Sequence, residues 1–282
     1  MPPDPPPALV NLGELSKPAN TLIQKVSDAV GGLLAPWQIR RVAKAEAEAA
    51  LMKRVSEIEI TDLHRRAVHR WVEEEAQRQQ NMENITAKAL PKLNAEADPH
   101  SLDNDWIVSF FERSRIVSDD EMQELWSRIL AGEANCPGTY SKRTVNSLSD
   151  TDKKEAALFT KFCGFVWTVG GLTPLVFHDS GTIYNKHGIN FDTLQHLDSI
   201  GLIQFGGMMS MSARVPRRFR VSYYGRSLIL EMPQESNNDL EIGVATLTRV
   251  GKELAPICGA GPVGGFWEYV RDRWKQHLPQ SA

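Results

Sequence analysis

"DTLQHLDSIGLIQF", Asp192 to Phe205, is where the periodicity of the chain changes. It reads as a short helix that ends at Gly201 and runs directly into a strand. After it, "FRVSYYGRSLILEM" (Phe219 to Met232) and "LEIGVATLT" (Leu240 to Thr248) are β-rich, and "LTRVGKELAPIC" (Leu247 to Cys258) returns to a helical pattern. Before it, almost every segment carries helical spacing. The expected fold class is therefore α+β, mostly α.

The order helix, strand, long hairpin and closing helix resembles a winged-helix module. Leu247, Thr248, Gly251 and Leu254 of "LTxxGxxL" carry that resemblance. The helix such a module needs ahead of Asp192 is poorly defined in "HDSGTIYNKHGIN".

Upstream, "VSDAVGGLLAPWQIRR" (Val26 to Arg41) joins an apolar stripe to a Trp-Arg flank. Leu22, Ile23, Val26, Ala29, Val30, Leu33 and Leu34 recur at three- and four-residue spacing, one face of a helix that Pro18 starts and Gly31-Gly32 with Pro36 ends. A second helical pattern starts near Pro36, breaks at "EIEITD" and resumes through "LHRRAVHRWVEEEAQRQQ" (Leu63 to Gln80). Its apolar positions Ile39, Val42, Leu51, Val55, Ile58, Leu63, Val68, Trp71 and Val72 are too irregular for heptads, so a bundle or an oligomerising arm is expected.

In the centre, Asp103 is a cap for "WIVSFFERSRIV". Ser118 with Glu121 forms a capping box ahead of Met122, Leu125, Trp126, Ile129 and Leu130. "NCPGTY" is a turn, Ser141 is a cap for "KRTVNSL", and Ser149 or Asp150 for "KKEAALFTKFCGFVW". "FCGFVWTVGGLTPLVF" (Phe162 to Phe177) holds no charge but is too short for a bilayer, and Gly170-Gly171 and Pro174 interrupt it. It reads as the end of a buried helix, a turn and a buried strand.

These patterns give a mobile Pro-rich leader over 1–15 and an extended helical N-terminal arm over 16–97. A central helical module over 98–171 and a winged-helix-like region over 172–258 follow, with a flexible Gly-rich connector and terminal helix over 259–282.

At 282 residues with 41% hydrophobic and 24% charged side chains, the chain can bury a real core. A net charge of −3 excludes a protein built mainly to neutralise nucleic-acid phosphates, so any such contact must be local. The N-terminus lacks a basic region followed by an apolar one, which excludes a secretory signal there. Three widely spaced cysteines, Cys136, Cys163 and Cys258, match neither a disulfide framework nor a zinc ribbon. They read as buried or partly buried thiols in a reducing cytoplasm.

Catalytic and cofactor chemistries fail on context. Gly259, Gly261 and Gly264 have GxGxxG spacing but follow a helical segment instead of a strand, with no βαβ unit after them. His69 and Glu73 face one side of a helix, yet no second such pair exists for a di-metal bundle, and His178, His187 and His196 are scattered. No serine or cysteine sits in a nucleophile elbow. No enzyme, cofactor, metal or small-molecule substrate is expected.

Binding features are better defined. Arg214, Arg217, Arg218, Arg220 and Arg226, with Tyr223 and Tyr224, cluster at the hairpin, where arginines could grip DNA phosphates and tyrosines pack on sugar or base. The alternative is a solvated hairpin that pairs with the acidic stretch "NNDLE" or another subunit. Leu22, Ile23, Val26, Val30, Leu33, Leu34, Trp37, Arg40 and Arg41 form the candidate contact for a protein partner, a second copy or a membrane surface. The mixed charge of Gln24, Lys25, Ser27 and Asp28 favours packing over lipid. The expected role is a non-enzymatic interaction protein that self-associates or docks a partner through its N-terminal helices. A DNA-binding regulator and a membrane-perturbing effector are the alternatives.

The phrases "SKPANTLIQKVSDAVGGLLAPWQIRRVAKAEAEA", "SDDEMQELWSRILAGEANCPGTYSKRTVNSL" and "LQHLDSIGLI" together resemble the bacterial family catalogued as domain of unknown function 2806, from about Ser16 to Cys258, the central phrase most specifically. That resemblance implies a cytoplasmic bacterial protein and no catalytic residue. A link to phage defence follows only by analogy with abortive-infection proteins that have similar helical N-termini.

Overall fold

The structure, a computed structural model, describes residues 15–30, 62–177, 182–207 and 209–279. The leader before residue 15, the stop at Gly31-Gly32, the arm from Pro36 to Thr61, and Leu33, Leu34, Trp37, Arg40 and Arg41 lie outside them. The chain is mostly helical with some strand. Its contacts gather into two compact units, Met1–Val145 and Asn146–Ala282.

In the first unit, α1 (Lys17–Ala29) is capped by Ser16, whose hydroxyl accepts from Ala19 N–H, with Pro18 in the first turn. α2 (Asp62–Ala89) is 28 residues long, about 42 Å at 1.5 Å per residue. α3 (Asn104–Ser114) starts at Asp103, which accepts from Trp106 N–H as expected. α4 (Asp120–Asn135) is capped one residue later than expected. The Asp119 carboxylate accepts from both Glu121 and Met122, making it a stronger acceptor at the positive helix end than Ser118. Only the last third of α2 is buried, at Asn81, Met82, Ile85, Thr86 and Ala89, and it lies along α4. Two buried amides are satisfied there: Asn81 donates to Arg115 O at 2.9 Å and Gln123 to Val117 O at 2.9 Å.

The specific central phrase is a mechanical lock. Buried Glu133 accepts from Gly138 N–H at 2.7 Å and Tyr140 N–H at 2.8 Å, which closes the turn after α4. Tyr140 O accepts from the Trp106 indole at 2.7 Å, and Trp106 continues into a cluster with Phe110 and Trp126. Gly132 lies against the Tyr140 ring, where an added Cβ would come within 2.6 Å. α5 (Lys142–Asp150) follows and carries the division between the units.

The second unit begins with α6 (Lys153–Cys163). Its cap is Asp152 in a capping box with Glu155, in place of Ser149 or Asp150, because only Asp152 stands three residues before a glutamate that can return the hydrogen bond. The helix stops at Gly164, and β1 (Val166–Val169) turns through Gly170-Gly171 into β2 (Leu172–Pro174). Val166 to Val169 is thus a strand and not the expected helix end. Trp167 and Val169 are buried while Thr168 is exposed, the two-residue alternation of a strand. α7 (Thr182–Asn185) is a single turn, and α8 (Phe191–Ser199) ends before Gly201, which has φ 76°.

The rest is one long hairpin, as the sequence suggests. β3 (Ile203–Phe205), β4 (Met211–Val215) and β5 (Arg218–Tyr223) run outward; β6 (Arg226–Glu231), β7 (Asn238–Gly243) and β8 (Ala245–Leu247) return as their antiparallel partners. Tyr224 and Gly225 form the tip with φ of 41° and 84°, the doubly positive pattern of a tight hairpin turn. The tip is not a free wing, because β5 also pairs with β1, giving the sheet order β2-β1-β5-β6.

At the base, α9 (Arg249–Leu254) is capped by Thr248, whose hydroxyl also donates to Gly201 O at 2.7 Å. Gly251 is required where the helix meets β3: a Cβ would lie 2.0 Å from Leu202 O. α10 (Phe266–Arg273) buries Phe266, Trp267 and Val270, and Trp267 stacks 5.1 Å from Trp167. The expected flexible connector is held in place, since Val263 is buried and its N–H donates to the Tyr223 hydroxyl at 2.6 Å.

Candidate functional site

Part of the N-terminal apolar stripe packs inside its own unit. Leu22 and Val26 have no exposed surface, and α1 packs on the turn Pro99–Ser101 and on α3. Ile23 and Val30 are half-buried. Of the candidate contact residues, Leu22 and Val26 are therefore used in packing within the unit, while Leu33, Leu34, Trp37, Arg40 and Arg41 lie outside the described residues.

The basic hairpin is largely neutralised internally. Arg214 pairs with Asp239 at 3.1 Å and Arg217 with Glu235. Arg226 meets Glu268 at 3.2 Å and lies 4.2 Å over the Trp267 ring. Arg218 and Arg220 are exposed two residues apart on β5, and neither has a carboxylate partner among the described residues. Both tyrosine hydroxyls are bonded within the unit, while the Tyr224 ring stays 43% exposed. Buried Tyr223 donates to Gly164 O at 2.7 Å, stacks on Trp167 and receives Val263 N–H; Tyr224 donates to Cys163 O at 3.1 Å.

The first two-thirds of α2 behaves differently. No residue from Asp62 to Gln80 is buried, and Leu63 and Trp71 stand 65% and 59% exposed. Leu63, Ala67 and Trp71 follow at four-residue spacing, with half-buried Val68 and Val72 beside them. Charge divides along this stretch. Before Trp71 there are three arginines against one aspartate; after it, Glu73, Glu74 and Glu75 against Arg78. Its ion pairs are exposed and local, such as Arg65–Asp62 at 3.3 Å and Arg70–Glu74 at 3.4 Å. His69 and Glu73 are exposed on it, and among the described residues no group of three or more His, Cys, Asp or Glu could hold a metal. No helix of the described residues is long and apolar enough to cross a membrane.

The sequence gives no sign of a further feature in the second unit. Cys163 and Cys258, 95 positions apart, are brought to the same region: the Thr160 hydroxyl, three residues before Cys163, donates to Cys258 O at 3.1 Å, and the Cys258 thiol donates to Ala255 O at 3.2 Å. Cys163 is buried and ends α6; Cys258 is half-buried just after α9. A pocket of about 220 Å³ opens there, lined by Cys163, Thr168, Ser222, Tyr224, Pro256 and Ala260 among others. The Cys163 thiol donating to Cys258, with help from Ala260 N–H and the Thr160 hydroxyl against the cost of burial, holds Cys258 down to about 7 from the usual thiol value. Burial first, and the same hydrogen bond second, push Cys163 well up. No motif spacing could have announced this pair.

No curated protein and no solved structure matches the chain. The family match begins within α2, so the "SKPANTL" phrase lies outside it, and it continues past Cys258 into α10. Its span takes in the Glu133–Tyr140 lock, the long hairpin and both cysteines of the pocket. Over residues 65–271, most of its length, the sequence matches the family described as Protein of unknown function (DUF2806), and the chain belongs to that family.

Proposed function

We propose that the protein is a self-associating interaction protein whose contact is the first two-thirds of α2, paired antiparallel with the same stretch of a second copy. The observation that carries this is the exposure of Leu63 and Trp71 on a helix whose net charge reverses from positive to negative across Trp71. An antiparallel copy sets each arginine-rich half against a glutamate-rich half and brings the two Trp71 rings to the symmetry axis, an isologous contact. A helix of this kind gains most of its stability from packing an apolar face, and this face has no cover among the described residues. The local surface ion pairs are weak enough to exchange for intermolecular ones.

Sedimentation equilibrium of the full chain tests the proposal. A concentration-dependent dimer that Trp71→Ala dissociates is expected. A monomer at every concentration, or a dimer indifferent to Trp71→Ala and Leu63→Ala, would sink it. A second reading, contact with nucleic-acid phosphate, rests on Arg218 and Arg220 of β5, which have no carboxylate partner among the described residues. It predicts salt-sensitive duplex binding that Arg218→Ala with Arg220→Ala abolishes.

A further inference from the structure

We propose that the pocket where β1 and β5 meet the segment after α9 binds a small organic anion, a carboxylic acid or phosphate ester with a compact apolar body. Arg220 and the hydroxyls of Thr168 and Ser222 hold its charged oxygens. The pocket encloses about 220 Å³, below the size usual for a drug-sized ligand. Its apolar wall is Val166, Leu172, Ala255 and Pro256, joined by the ring of Tyr224, whose hydroxyl is already engaged with Cys163 O at 3.1 Å.

The polar side is set by strand register. Thr168 and Ser222 are direct partners across β1 and β5, so their side chains stand next to each other on one face of the sheet. Neither hydroxyl has a hydrogen-bond partner among the described residues. Thr168 is exposed and Ser222 half-buried, which opens the pair to a ligand arriving from solvent. Arg220 stands two residues before Ser222 on β5, on the same face and about 6.6 Å away at 3.3 Å per residue. One further step of the β1 register puts Gly170 opposite Arg220, where an added Cβ would meet nothing within 4 Å, so this side of the arginine is open. The guanidinium has no carboxylate partner among the described residues.

The sign of the ligand follows from these groups. Two rotatable hydroxyls and a guanidinium can all donate, and donors converging on an anionic oxygen make the stronger, charge-assisted kind of hydrogen bond. A cation would meet like charge at Arg220, and a neutral molecule would leave the guanidinium unanswered. The apolar wall selects an acid that carries a small hydrocarbon body over a bare inorganic ion.

Titration of the full-length protein, followed by calorimetry and ligand-observed NMR, tests this with benzoate, phenyl phosphate, inorganic phosphate and uncharged benzyl alcohol as probes. At least one of the two organic anions should bind about tenfold more tightly than benzyl alcohol, and the tighter of the two identifies the acid. Arg220→Ala should weaken that anion by about tenfold and leave benzyl alcohol unchanged, whereas Arg218→Ala, two residues farther along the strand, should leave both unchanged. Thr168→Val with Ser222→Ala should also weaken the anion. No binding of either organic anion at millimolar concentration, or benzyl alcohol binding as well as they do, would overturn the proposal. So would an anion indifferent to Arg220→Ala, or inorganic phosphate that binds as tightly as phenyl phosphate. The comparison of probes uses the unsubstituted protein, so a misfolded variant leaves it decisive.

Discussion

The basic hairpin and the start of helix α2 differ in how far the fold has already used their side chains. The hairpin concentrates arginine and tyrosine, the usual vocabulary of a binding surface, yet most of it is answered from within: Asp239, Glu235 and Glu268 meet three arginines, and Gly164, Cys163 and Val263 meet the tyrosines. The start of α2 is the plainer sequence, rich in Glu, Arg and Gln, and it leaves Leu63 and Trp71 in solvent. Residue type measures what a side chain can bind; only the fold decides whether it has already done so.

The sharpest way to break this comparison is Tyr223→Ala. If the hairpin tyrosine is structural, removing a buried ring that stacks on Trp167 costs about 3–5 kcal/mol in urea unfolding, whereas a ring kept for a ligand would cost little. Next comes Trp71→Ala. Association should weaken by at least about 2 kcal/mol, roughly thirtyfold in Kd by sedimentation, with stability of the isolated chain changed by no more than about 0.5 kcal/mol.

Charge reversal sharpens the antiparallel register. Arg65→Glu with Arg66→Glu should weaken the homodimer by about 1 kcal/mol, as should Glu73→Arg with Glu74→Arg, and mixing the two variants should restore pairing. Equal weakness in the mixture would point away from antiparallel order. The smallest effect is expected for Arg217→Ala: its carboxylate pair is exposed, so thermal unfolding should shift by under about 0.5 kcal/mol.

Much of the fold is legible because it is local. Asp103, Gly201 and Thr248 mark element ends through hydrogen bonds or dihedrals that reach only a few residues, and "LTxxGxxL" encodes a cap, two buried leucines and one close approach. The candidate sites are illegible for the opposite reason. Nothing near Cys258 reveals that α6 ends beside it, and nothing in Tyr223 distinguishes a ring stacked on Trp167 from one awaiting a base. Helical spacing shows an apolar stripe on α1 and on α2 alike. Which one meets a neighbour depends on the turn Pro99–Ser101 and α3, about 80 residues downstream of α1.

The Glu133 lock also sets a rule for which substitutions can occur together. Tyr140 is held by its backbone to Glu133 and to Trp106, and its buried ring lies against position 132. With 2.6 Å left for any Cβ, a side chain at Gly132 requires the Tyr140 ring to shift or to be replaced by something smaller. Positions 132 and 140 should therefore vary as a pair in folded relatives, a signature that would identify this turn without any structure.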